Sequence, residues 1–577
     1  MSALADAGHR GGEEGGQERG NGRGQQRRQP RLERLIERFL GPLLDALVDP
    51  ARRQRSMAIV VLGYVAAWTL YGVIAKGSQD IHVDMSEQYV LARELAWGYP
   101  KHPPLAMVLV RAWFAVFPTS DWAYYLLAMA TVGVTLRIVW LISERYLDGE
   151  KRVVGLALLT LAPFFNFHAL KFNVNTILMP LWAVTTLWFL RSFESARLRD
   201  AALAGLGAAA CMYGKYWSIV LLVGLAVAAL ADSRRAAYFR SGAPWVTIAV
   251  GALALAPHVA WLVANDFAPF SYAMVVHGGA TSSFASSLRD ALGYLGASVA
   301  YVAVPLVIVA LAARPNPAAL RDMAWPATPE RRLAALAFWA VLVVPAVVAP
   351  LARVHLVSIW SMSAWSLLPV VLLSSPLVTL GRRDALRVLA LAIAFPLIMI
   401  AAAPAIAVGI HRYGQAAGVA HSSVVPDAIA RLWRQTTDTP LQNFAGFDEF
   451  TDGVSFYMPS HPFAAHVLDA TVGKIPQAVE ARVNRDGVAM LCPARTRYAP
   501  GANWCVIAAR SRALCFLPGE QTEIEVARSF LGLDGKPARY LLWTIPPWQF
   551  DRLPSLRQPV EDYAATHFNV EWPQAHP

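Results

Sequence analysis

The sequence predicts an all-α polytopic membrane protein that carries a small C-terminal α/β domain. Apolar runs of spanning length recur between Ser56 and Ala407, and only 16% of the 577 residues are charged, against about 25% in soluble chains. Arg-rich connections also fall on alternate sides of these runs. Each run holds roughly 18–22 residues, enough to cross the ~30 Å hydrocarbon layer as a helix. Lipid offers the backbone no hydrogen-bond partner, so the spans must be helical, and their unbroken apolarity excludes the alternation of a barrel.

Hydropathy places about eleven spans. They are Met57–Ala75, Trp122–Ile142, Val153–Leu170, Thr176–Leu190, Ala201–Cys211, Trp217–Ala231, Trp245–Val263, Leu292–Ala312, Leu333–Ala352, Ile359–Leu373 and Leu386–Val408. The Pro-led stretch Pro103–Phe117 is expected to be a surface or re-entrant helix. Charge tests the count independently. The basic connections are the N-terminal tail, Glu144–Arg152, Arg191–Arg199, Arg234–Arg240, Arg314–Arg332 and Arg382–Arg387. The positive-inside rule puts all of them in the cytoplasm of a bacterial inner-membrane protein, with the N-terminus inside and the C-terminal region in the periplasm.

Three regions follow. Residues 1–55 form a basic cytoplasmic tail, expected to be disordered to Pro30 and then an amphipathic helix from Arg31 on the membrane surface. Residues 56–408 form the membrane domain, and residues 409–577 have the composition of a soluble α/β domain. The net charge of +11 reports orientation rather than nucleic acid, which is not an expected partner. Cys211 falls in a span as an apolar filler, whereas Cys492 and Cys505 suit a disulfide in an oxidising compartment.

The polar residues that remain gather at the outer ends of spans. The first outer loop holds His82, Asp84, Glu87, Tyr89, Lys101 and His102. Later turns hold His168, Lys171, Asn173 and Asn175, then Lys215 and Tyr216, then Arg353 and His355. This inventory suits a sugar carried on a polyprenyl phosphate. The phosphate is already a good leaving group, so transfer needs one carboxylate to take the acceptor proton, and cations or amides to hold the departing phosphate.

Asp84, Tyr89, Gly98-Tyr99 and Lys101-His102-Pro103-Pro104-Leu105 together resemble the first outer loop of GT-C membrane glycosyltransferases. The branch is the bacterial one of the protein-mannosyltransferase superfamily, with aminoarabinose transferases and galacturonosyl transferases. Gly214-Lys215-Tyr216, Pro257 through Trp261 to Phe270, and Pro440 through Gly446 to Tyr457 resemble further stretches of that group. The resemblance implies a GT-C-like fold and an inverting transferase acting on a cell-envelope acceptor: lipid A, lipopolysaccharide core, another glycan or a protein. It makes Asp84 the catalytic base. Lys101, His102, Lys215, Tyr216, Arg353 and His355 become donor-phosphate ligands, and Glu87, Tyr89, Asn173 and Asn175 line the substrate.

The chain departs from the pattern in two places. Asp84 is followed by Met85 where many relatives have Glu, and Asn173-Val-Asn175 stands where many carry an acid. A divalent metal, Mg or Mn, stays open as a cofactor, because an Asn carbonyl is a weaker ligand for a hard cation than a carboxylate. Plainer roles also exist: Asp84 as a helix N-cap before Met85, Asn173 or Asn175 as the cap of the fourth span, and Lys215 reaching to the interface. The competing function is a transporter or flippase of a lipid-linked glycan, for which no repeat is evident.

Overall fold

The computed structural model describes residues 31–277, 283–414, 421–446, 448–466, 477–494, 505 and 521–547. The membrane domain begins with α1 (Arg31–Val48), α2 (Arg53–Ala75), the short α3 (Val83–Ala92) and α4 (Leu105–Phe114), α5 (Asp121–Ser143) and α6 (Gly149–Thr160). Next come α7 (Val174–Ser195), α8 (Leu198–Gly214), α9 (Ile219–Ala231), α10 (Arg235–Arg240), α11 (Ala243–Ala264) and α12 (Ala268–His277). It ends with α13 (Phe284–Tyr301), α14 (Ala303–Ala313), α15 (Pro317–Ala324), α16 (Pro329–Ala352), α17 (Leu368–Leu373) and α18 (Arg382–Tyr413).

Among the described residues, α2, α5, α7, α11, α16 and α18 are long and apolar enough to cross a membrane, and α13 with α14, bent by 53°, form one more. The other four expected spans fall on shorter helices. Val153–Leu170 is α6, which gives way at Pro163 to a 3-10 turn. The fifth and sixth are α8 and α9, and the tenth is two 3-10 turns followed by α17. Hydropathy registers apolar length and is blind to a break in helical hydrogen bonding. The last span runs on to Tyr413, past the expected boundary at Val408.

Packing centres on α2 against α5 and α18, on α7, α8 and α11 side by side, and on α9 against α16. Trp68, Trp140 and Trp182 are fully buried between these helices. Their outward faces carry exposed Ile59, Leu62, Ile248 and Leu253, the apolar exterior that a lipid solvent requires. Helix α1 lies against α18. Arg382 pairs with Glu37 at 3.0 Å and with Asp45, and Arg387 pairs with Glu33.

The C-terminal domain joins α19 (Pro426–Thr436), α20 (Asp448–Tyr457) and α21 (Gln477–Asp486) to a sheet of β1 (Asn443–Gly446), β2 (Phe463–Ala464), β3 (Val488–Pro493), β4 (Gln521–Val526) and β7 (Ala538–Ile545). The ribbon β5 (Ser529–Phe530) and β6 (Leu533–Asp534) stands apart from it. Sheet order is β2-β1-β3-β7-β4; β1 runs parallel to β2 and β3, and β7 antiparallel to β3 and β4. Residues Val488 to Cys492 of β3 are continuously buried, as a central strand should be, whereas β4 alternates in exposure as an edge does. Cys492 and Cys505 form a disulfide. This domain docks on the segment between α2 and α4, with α20 packed against α3.

Candidate active site

The site grows from the N-terminus of α3. His82 is the N-cap: its Nδ1 accepts the Asp84 backbone N–H at 3.1 Å, so Asp84 sits inside the first turn. Its carboxylate thereby meets the positive end of the helix dipole rather than capping a helix that begins at Met85. Because Nδ1 is an acceptor, His82 is neutral, and burial pushes its pKa below the usual value. The Asp84 carboxylate, 33% exposed, receives Lys171 Nζ at 3.1 Å and Asn173 Nδ2 at 2.9 Å on the same oxygen, Oδ2. Burial alone would raise its pKa; the charge of His82 whenever that imidazole is protonated, with Lys171 and the Asn173 hydrogen bond, outweighs it and holds the group below the ordinary carboxylate value.

Asn173 does two jobs. Its Oδ1 caps α7 by accepting the N–H groups of Asn175 and Thr176, and Thr176 closes the box onto the Asn173 backbone. Its amide nitrogen is left to face Asp84. Two residues on, Asn175 Oδ1 accepts Lys215 Nζ at 2.7 Å. Lys215 also lies 5.3 Å from the Trp360 ring. Burial lowers its pKa to about 8; Asp84 acts upward on it and Lys101 downward, so both lie within its electrostatic reach.

Beside this group, Glu87 accepts Lys101 at 2.8 Å, with His102 Nε2 at 3.8 Å. Burial opposes ionisation of Glu87, but His102 and Lys101 prevail and its pKa falls. The turn carrying Lys101 is held from α11. His258 Nδ1 donates to the Trp97 carbonyl at 2.6 Å, which leaves Nε2 to accept the Tyr216 hydroxyl at 3.0 Å. One buried imidazole therefore ties the Lys101 turn to the Lys215 turn. Gly98 completes the fit, because a Cβ there would stand 2.4 Å from the Trp261 ring. Gly98→Ala is expected to cost about 1–3 kcal/mol by overpacking, read as a lower unfolding temperature and weaker activity; an unchanged protein would show that the turn can give way.

Three expected residues fall elsewhere. Tyr89, 8% exposed, packs edge-on against Phe114 and Phe456 at 5.5 and 5.1 Å, so it joins α3 to α4 and α20 as core instead of lining a substrate. Arg353 is the exposed left-handed C-cap of α16, with φ 54°. His355 pairs with Asp290 of α13. Both follow α16, where His355 joins α13 and not the Asp84 cluster. Lys171, His82 and His258 belong to the site without having been assigned to it from sequence. Lys171 stood in the sequence inventory, yet only its contact with Asp84 gives it a role.

Asp84 Oδ2 is taken by two N–H donors, and among the described residues no group of three His, Cys, Asp or Glu side chains converges, so the described residues assemble no ligand set for a divalent cation beside Asp84. Two apolar cavities, about 360 Å³ among α7, α8, α9 and α11 and about 250 Å³ among α2, α5, α6 and α18, lie away from this cluster. They are lined without Asp, Glu, Lys or Arg.

The chain is similar to known proteins in two ways, in sequence over part of its length and in fold over most of it. Residues 101–261 match the family described as dolichyl-phosphate-mannose-protein mannosyltransferase. The lipopolysaccharide core galacturonosyltransferase RgtB of Rhizobium johnstonii is 25% identical over 244 residues, 42% of this chain and 49% of RgtB, so the alignment spans about half that relative. ArnT from Cupriavidus metallidurans, solved with undecaprenyl phosphate, superposes with a TM-score of 0.54 at 12% identity, covering 83% of this chain and 97% of ArnT. Its apo form gives 0.51 at 10% identity, covering 87% and 99%. The chain thus resembles the GT-C glycosyltransferases: in sequence over residues 101–261, and over most of its length in sharing the fold of ArnT.

Proposed function

We propose that this protein transfers a sugar from a polyprenyl-phosphate carrier to a hydroxyl of a cell-envelope acceptor on the periplasmic face of the inner membrane. The observation that carries the proposal is the chain of contacts from Asp84 through Asn173 and Asn175 to Lys215, a carboxylate and an ammonium linked through the head of one helix. Asp84 takes the acceptor proton as the acceptor oxygen bonds to the anomeric carbon. The bond from that carbon to the phosphate oxygen breaks on the opposite side, and its electron pair leaves with the polyprenyl phosphate. Single displacement inverts the anomeric centre. Lys215, with Lys101 close by, would hold the departing phosphate. No step is routed through a metal.

The Cys492–Cys505 disulfide supports a periplasmic C-terminal domain. Lipid A, lipopolysaccharide core, other glycans and proteins are the acceptor classes, in keeping with the named relatives. The test is reconstitution with lipid-linked sugars and extracted envelope acceptors, followed by mass spectrometry. A sugar-sized mass gain on an acceptor supports the assignment; lipid movement across the bilayer without any gain would favour a flippase.

Lys215 gives a pH prediction. Its pKa of about 8 leaves it charged below that pH and neutral above. Donor KM should therefore rise as pH climbs through 8, and Lys215→Arg, charged throughout, should flatten that rise. A pH-independent donor KM would remove Lys215 from phosphate binding.

A further inference from the structure

Asp84 is poorly prepared to act as a base. Two donors on one oxygen stabilise its ionised form and make it a weak proton acceptor. The two donors are not alike. Asn173 is 5% exposed and fixed by its capping bonds to Asn175 and Thr176. Lys171 has a side chain 32% exposed, and its backbone carbonyl is what the fold holds, accepting Thr176 Oγ1 at 3.1 Å. Its ammonium sits on a flexible four-carbon stem and has three protons to give. So one donor is rigid and one is free to swing.

The other charged groups near Asp84 are accounted for. His82 is neutral on its own cap, Lys215 is bonded to Asn175, and Lys101 is paired with Glu87. His82 Nδ1 also stands 3.5 Å from Asp84 Oδ1, but it is uncharged while it accepts the Asp84 N–H, so Lys171 is the permanent cation of this cluster within 4 Å of the carboxylate. A phosphate entering beside Lys215 would bring more charge and more acceptor oxygens than the single carboxylate oxygen Lys171 now holds.

We propose that Lys171 is a counterion switch: it masks Asp84 in the resting site and moves to the donor phosphate when that anion binds, so that Asp84 becomes a base only with donor in place. This rests on the transferase reading above. Asn173 stays with Asp84 and keeps it oriented, while the ammonium that suppressed its basicity now neutralises the leaving group. Acceptor hydroxyls and water are then not activated in an empty site. The proton balance is unchanged from the displacement above: the acceptor proton ends on Asp84 and the electron pair on the phosphate.

The test is an infrared difference titration of the Asp84 carboxyl, identified as the band missing from Asp84→Asn, with undecaprenyl phosphate as probe. In the wild type the probe should raise the titration midpoint by about 1–3 pH units, the size of losing a close opposite charge. Lys171→Met should titrate high without probe and rise little further on adding it, and Lys171→Arg should restore the resting value. A probe-induced rise of equal size in Lys171→Met would mark plain repulsion and overturn the switch. So would a wild-type midpoint that the probe leaves unmoved while calorimetry shows it bound. Should Lys171→Met fail to fold, Lys171→Gln, which also lacks the charge, takes its place with the same two outcomes. Absence of transfer by the wild type with every lipid-linked sugar sinks the transferase reading alone, since the titration needs no turnover.

Discussion

Asp84→Asn is expected to lower transfer by about 10²–10⁴-fold, the usual contribution of a positioned base, while leaving the unfolding temperature close to that of the wild type. The amide is nearly the same size, still sits in the first turn of α3 and can still accept Asn173 Nδ2. It gives up the pairing with Lys171, which is one-third exposed and so contributes little to stability. Donor KM should change far less than kcat, because Lys215 and Lys101 remain. The measurement is turnover in nanodiscs beside thermal unfolding of the same sample. Turnover within a few-fold of wild type would take Asp84 out of the mechanism.

Arg528→Met should act on stability instead. Asp80 is almost fully buried, with 4% of its side chain exposed. Its oxygens accept the Ser422 N–H at 2.7 Å, the Ser423 hydroxyl at 2.6 Å and the Arg528 guanidinium. Removing the cation leaves a buried carboxylate without its counter-charge, a loss of about 3–5 kcal/mol. The C-terminal domain should loosen from the segment between α2 and α4, seen as faster limited proteolysis and a lower unfolding temperature. Adding Asp80→Asn should restore much of the loss, because the stranded charge is then gone. Equal melting of Arg528→Met and wild type would show that water relieves Asp80. Transfer should fall with the docking: Asp80 stands four residues before Asp84, and the intervening Ile81 N–H donates to the Tyr457 hydroxyl at 2.7 Å.

The architecture was legible because two independent signals, apolar length and alternating basic connections, describe the same helices. What hydropathy missed were the interruptions: α6 stops before Pro163, and α17 is reached through two 3-10 turns. The polar residues were legible as a group because charges survive in lipid-facing helices only near their ends. How they are shared out sideways was not. Asn173, Asn175 and Lys215 meet because α7 and α8 pack side by side, whereas His355 turns to Asp290 of α13. Tyr89 looked like a site residue since an aromatic in a polar loop reads the same whether it meets a sugar or Phe456. Lys171 could not be ranked above its neighbours by residue type alone. Its importance comes from a contact to a residue in another loop.

Helix α1 carries one more consequence. It is strapped to the start of α18 through Glu33, Glu37 and Asp45, and it turns Leu32, Leu35 and Phe39 outward, each at least half exposed. A helix mounted in this way floats at the boundary between headgroups and acyl chains. On the proposed topology it would set the draught of the whole bundle, as a keel plate does for a hull, and so the height of Asp84 relative to the opposite leaflet. The straps are largely solvent-exposed ion pairs that weaken as ionic strength rises, so under the proposed topology salt would shift the seating of the bundle from the face that does not carry Asp84.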